Sequence, residues 1–110
     1  MSKIALTIEE IELGYLSEHN GKYLFCANGN EVDRARTKYP LDMMLFNLNA
    51  TGMSVYDAIP YPFNTFLAGT NRPDLMEKAG IADMDTDFVK LYKLSALNLV
   101  RENFEIHKVD

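Results

Sequence analysis

The sequence predicts an α+β domain, a small antiparallel sheet or partial barrel of N-terminal hairpins packed with two or three C-terminal helices. Three observations predict it. Apolar residues alternate with period two through the first quarter of the chain, and an Asn-Gly pair at 20–21 lies between two strand-like runs. From about residue 70 the apolar spacing changes to three and four.

The first alternation places Ile4, Leu6 and Ile8 on one parity and Ile11, Leu13 and Tyr15 on the other, with Glu9-Glu10 between them. That change of parity fits two short strands or one bulged strand. Glu18-His19-Asn20-Gly21-Lys22 then joins Ile11–Ser17 to Lys22–Ala27 as a β-hairpin, because Asn and Gly accept the positive φ a tight turn needs. Asn28-Gly29-Asn30 ends the second strand in another turn. Glu31 to Tyr39 carries Glu31, Asp33, Arg34, Arg36 and Lys38 with few apolar residues, so it reads as an exposed connection with room for one helical turn.

Leu41 to Leu48 is apolar at nearly every position, which fits a strand or a helical segment, and the leading Pro40 favours the strand. Asn49 to Ser54 is turn-rich. In Ile59-Pro60-Tyr61-Pro62-Phe63 the two prolines exclude regular structure and fix a stiff path. A helix follows over about 73–79, with Asn71 as a candidate N-cap, Pro73 in the first turn and Gly80 as terminator. A second, over about 86–97 and starting at Asp85 or Thr86, has Phe88, Leu91, Tyr92 and Leu94 or Ser95 at helical spacing, which continues to Leu99 beyond it. Phe104 to Val109 alternates, as a strand returning to the first sheet would.

At 110 residues, 47% of them hydrophobic, the chain is expected to be one domain spanning 1–110. Its 11 basic and 16 acidic residues give a formal charge of −5, which opposes a phosphate-neutralising surface and so direct binding to nucleic acid. One cysteine allows no internal disulfide, and a cytoplasmic location is expected. No apolar run reaches the roughly 20 residues of a membrane span, so no membrane association is expected.

Catalysis requires a nucleophile with its base, a metal or a phosphate cradle, and none is spaced for it here. His19 and His107 lack partner ligands at metal-binding spacing, and Cys26 reads as a small buried hydrophobe in a strand. Asp83-Met84-Asp85-Thr86-Asp87 lacks the glycine and terminal glutamate of a calcium loop and fits acidic residues at a helix start. The chain is therefore expected not to be an enzyme and to hold no cofactor and no metal. What stands out is the aromatic cluster around Pro60 and Pro62. Tyr56, Tyr61, Pro62 and Phe63, with Arg72 nearby, are the candidate partner-binding residues, Tyr61 and Phe63 as its anchors, while Phe66 and Leu67 fall on the core side.

Several of these residues also form an ordered pattern. Gly14-Tyr15-Leu16, Gly21-Lys22-Tyr23-Leu24-Phe25 and Pro40-Leu41 resemble the N-terminal subdomain of HipA-type serine/threonine kinase toxins, with its G-x-L, G-x-Y-x-F and P-L at similar intervals. Pro60, Phe63, Phe66-Leu67, Arg72, Asp74-Leu75, Gly80-Ile81, Asp87-Phe88 and Leu91 resemble the later part of that subdomain. The likeness runs from about Ile11 to Leu94. Where the family reads P-E-G after the phenylalanine segment, this chain has Ala68-Gly69-Thr70.

A free-standing copy of the subdomain, without the kinase core, resembles the HipS antitoxins of three-gene HipBST systems. The resemblance implies an antitoxin that binds and inhibits a HipT- or HipA-like kinase, with a HipB-like DNA-binding protein as a further component. Two readings from other classes remain alongside it. A DNA-associated repressor subunit would need a basic recognition helix, whereas the second helix begins among Asp83, Asp85 and Asp87. A small acidic inhibitor from a mobile element would concentrate its acids on one face, whereas here acids and bases are interspersed.

Overall fold

The computed structural model describes residues 2–109, apart from the side chains of residues 69–71. Strands β1 (Lys3–Ile8) and β2 (Ile11–His19) pair antiparallel across a turn at Glu9-Glu10, where Glu9 has φ +50°. A register shift opposite Leu6 and Thr7 absorbs the change of parity seen in the sequence. Strand β3 (Lys22–Ala27) returns beside β2 through Asn20 and Gly21, at φ +52° and +78°. Two successive positive φ values make the tight turn whose twist matches that of the strands, as the Asn-Gly pair predicts.

Three departures from the sequence reading follow. Residues 31–39 are no exposed connection, for Gly29–Lys38 is a helix, α1, that lies against β2. Its inward stripe is only Val32 and Ala35, both fully buried, and two small residues leave almost no apolar pattern to read. Residues 41–48 are not a strand. Asp42–Leu45 is a 3-10 turn in which Met43, and after it Phe46 and Leu48, face inward while Leu41, Met44 and Leu45 are exposed. Strand β4 (Met53–Tyr56), which begins in the last two residues of the turn-rich stretch, pairs with β3 and was not anticipated.

After a second 3-10 stretch (Phe63–Asn71), helix α2 (Pro73–Ala79) starts on its expected proline. Arg72 occupies its cap position; the Asn71 side chain lies outside the described residues. Gly80, at φ +73°, ends the helix as expected. Helix α3 (Asp87–Ser95) is capped by Thr86, whose hydroxyl accepts from the Val89 N–H at 3.3 Å. The two-residue strand β5 (Val100–Arg101) precedes β6 (Phe104–Val109), which pairs antiparallel with β1 as the alternation predicts. No helix among the described residues is long and apolar enough to cross a membrane.

The sheet order is β4-β3-β2-β1-β6-β5, an open six-stranded antiparallel sheet rather than a barrel. Helices and loops gather over one face. Ile4, Leu6 and Ile8, Leu13 and Leu16, Phe25, and Phe104 and Ile106 all point to it, and Val32, Ala35, Phe88 and Leu91 close it from the helices. Gly14 sets how closely β2 and β3 pack there. A Cβ at this position would lie 2.5 Å from the Cys26 carbonyl oxygen and 2.6 Å from Cζ of Phe25. The Phe25 ring therefore rests on the bare backbone of Gly14.

Helix α1 is tied to the first turn through Glu10, which accepts from Lys38 Nζ at 2.5 Å and from the Tyr39 hydroxyl at 3.0 Å. The bond from Lys38, with help from the turn backbone and Tyr39, holds the Glu10 carboxyl down at about 2 from 4.5.

Gly14→Ala is expected to lower the free energy of unfolding by about 1–3 kcal/mol, the usual cost of overpacking, as a shift in the denaturant midpoint will show. A carboxyl held down in the folded state adds stability above its unfolded value, and that contribution disappears as pH falls from 4.5 toward about 2. Glu10→Gln should therefore melt below wild type at neutral pH, with the two melting temperatures converging toward pH 2.

Candidate functional site

The Pro60–Phe63 loop crosses the covered face of the sheet, with a cis peptide bond at Tyr61-Pro62. It does not present its two expected anchors together. Phe63 is fully buried, its ring 5.9 Å from that of Phe25 in an edge-on contact, and Phe25 in turn lies 6.3 Å from Phe46. Pro62 is buried beside it. With the fold intact, Phe63 therefore offers a partner no surface of its own, and Pro62 offers little. Phe66, also buried, and Leu67, packed against the core, stand on the side expected of them.

The remaining three keep some surface but do not form one cluster. Tyr56 is half-buried on β4, at one edge of the sheet, where its hydroxyl accepts from the Asn49 N–H at 3.4 Å. Tyr61 reaches toward the other edge and donates to Glu102 in the turn between β5 and β6. Burial, then the bond to Glu102, pushes its phenol up to about 12, so the hydroxyl stays a donor through any physiological pH. Arg72 is exposed, pairs with Asp74 at 3.2 Å, and lines a cavity of about 170 Å³ with Phe66, Leu75, Leu99 and Arg101. Tyr61 and Arg72 thus lie toward the β5 end, and Tyr56 lies a sheet's width away.

Two of the ionisable groups weighed in the sequence, His107 and Asp85, have local structural partners. His107 lies between Asn98, at 2.7 Å from Nδ1, and Thr7, at 3.2 Å from Nε2. Asp85 accepts from the Ala82 N–H at 2.9 Å and from Lys93 Nζ at 2.7 Å, and Lys93 holds its carboxyl below the ordinary range. Asp85 thus ties the turn before α3 to the last turn of that helix, and Asp87 is the acid in its first turn. Among the described residues no three His, Cys, Asp or Glu side chains are grouped to hold a metal ion.

Cys26 departs from expectation in a way that matters. It is exposed rather than buried, because it points to the face of the sheet that no helix covers. On the same face, by register, stand Tyr15 and Ser17 of β2, Leu24 of β3, and Met53 and Val55 of β4. This surface was missed in the sequence. The available signal is that Tyr23-Leu24-Phe25-Cys26-Ala27 is apolar on both parities, although its hairpin partner alternates. A strand in an open antiparallel sheet needs only one apolar face for its own core.

Compared with known proteins, the chain matches no family model and no curated protein.

Burial separates the two former anchors experimentally. Phe63→Ala should cost about 3–5 kcal/mol of stability, the range for truncating a packed phenylalanine. Tyr61→Phe, which deletes only the hydroxyl bonded to Glu102, should cost at most about 1 kcal/mol. Chemical denaturation of both variants checks the contrast.

Proposed function

We propose that this chain is a HipS-like antitoxin that binds a HipA- or HipT-like serine/threonine kinase and inhibits it. The observation that carries the reading is the ordered run of motif residues from Gly14 to Leu91. Its supporting physical feature is that these residues belong together in three dimensions. Gly14 of the G-x-L motif receives the ring of Phe25 from the G-x-Y-x-F motif, and Phe25 meets Phe63 of the proline and phenylalanine segment. Leu16, Phe66, Phe88 and Leu91 line the same core. A motif set whose members pack on one another specifies a fold, and the function then rests on the resemblance of that fold's sequence to the kinase-associated subdomain.

Such a module acts by occupancy. Held against a kinase in trans, it keeps the catalytic lobes from their active arrangement or stands in the path of nucleotide or substrate. It contributes no phosphoryl transfer of its own, and a HipB-like protein supplies any contact with DNA. The acids Asp83, Asp85 and Asp87 at the start of α3 favour this division of labour, since a phosphate backbone would meet like charge there.

Co-expression with a HipA- or HipT-like kinase tests the reading. The chain is expected to co-elute with that kinase and restore growth that the kinase alone arrests. A kinase that stays separate and toxic in the presence of the folded chain would overturn the proposal.

A further inference from the structure

The uncovered face of the sheet has two unlike halves. On β1 and β6, beside Ala5 and Val109, it carries a bonded polar group, with Thr7 and Asn98 on the two ring nitrogens of His107 and Glu105 3.2 Å from the same ring. On β2, β3 and β4 it presents Tyr15, Leu24, Cys26, Met53 and Val55. An antiparallel sheet with one face in water ordinarily sets polar residues there, so the apolar half departs from the rule that its neighbour obeys. Met53 and Val55, each 62% exposed, extend this surface to β4, the end strand of the sheet.

Shape and charge narrow what fits it. The surface is concave, enclosing about 480 Å³ between Tyr15, Leu24, Cys26 and Met53, with Lys3 and His19 also in its lining. Lys3 Nζ stands 5.9 Å from the centre of the Tyr15 ring. Among the described residues no carboxylate lines the hollow, although the chain as a whole carries −5. Glu12, on the same face, is engaged by the Tyr15 hydroxyl, and Lys22 is paired with Asp57. An apolar hollow with the Lys3 ammonium at its border, on an acidic protein, complements an apolar segment flanked by a carboxylate.

We infer that the apolar half of the uncovered face, centred on Leu24, Cys26 and Met53, docks an apolar segment of the kinase that carries a flanking carboxylate. The inference rests on the kinase-binding reading and names the surface that performs it. The covered face is consumed by the protein's own core, whereas on this one Cys26, Met53 and Val55 are exposed and Tyr15 and Leu24 half-exposed. Large exposed apolar patches of this kind mark interaction sites.

Cys26 makes the test direct, because it is the chain's single thiol and lies within the hollow. The free protein should react readily with a maleimide, and the assembled wild-type complex should react about ten-fold more slowly or less, as an exposed thiol covered by a partner does. Met53→Glu combined with Val55→Glu should weaken the complex by about thirty-fold or more with melting unchanged, and the matching Lys pair should weaken it less. A complex that forms with Cys26 fully reactive overturns this inference and leaves the antitoxin reading standing. So does a loss of binding confined to Leu41→Glu and Met44→Glu on the 3-10 turn. Failure of the wild-type complex to form overturns both.

Discussion

Phe25 projects from the middle of β3 and meets three things at once: the bare backbone of Gly14 on the neighbouring strand, the ring of Phe46 after the 3-10 turn, and the ring of Phe63 in the proline loop. The irregular half of the chain is held to the sheet largely through such contacts, since residues 39–72 contain only one short strand of their own. Met43, Leu48, Ile59 and Phe66 extend the same layer. Aromatic rings meeting edge-on combine a large buried area with a preferred geometry, so one side chain can fix the path of two loops. That constraint also turns Phe63 of the proline segment inward, while Pro60 and Tyr61 keep part of their surface.

How much of this was legible depended on whether an element announced itself by local chemistry. The Asn20-Gly21 hairpin, the helix from Pro73 to Gly80 and the returning strand Phe104–Val109 each carry a positional signal, a turn residue, a cap or a sustained alternation. Helix α1 carried none, because Val32 and Ala35 suffice to seat it when the rest of its surface meets solvent. The apolar run at 41–48 misled for the opposite reason, for apolar content there exceeds what the core takes up and Leu41 and Met44 remain outside. At the site level, residue type pointed to aromatics near prolines. Burial then divided them, taking Phe63 inward and leaving Tyr56, Tyr61 and Arg72 partly exposed in separate places. The surplus apolar parity of β3 was present in the sequence but had no meaning until the sheet showed one face uncovered.

The two faces of the sheet thus have different roles. One satisfies the chain's own folding, with Ile4, Leu6, Leu16, Phe25 and Ile106 closed off by helices and loops. The other is stable in water along β1 and β6, where Thr7, His107 and Glu105 bond to one another, and incomplete along β2 to β4. A small acidic protein with an incomplete apolar surface is suited to act by binding, and the partner we propose for it is a kinase.

The central claim is inhibition of that kinase, and a titration of kinase activity measures it. Purified kinase, ATP and magnesium are held constant while the folded chain is added, and phosphate incorporated into the kinase's substrate is followed. Activity falling linearly to near zero as the chain reaches equimolar ratio is the predicted result. Full activity maintained in molar excess of folded chain would contradict the account.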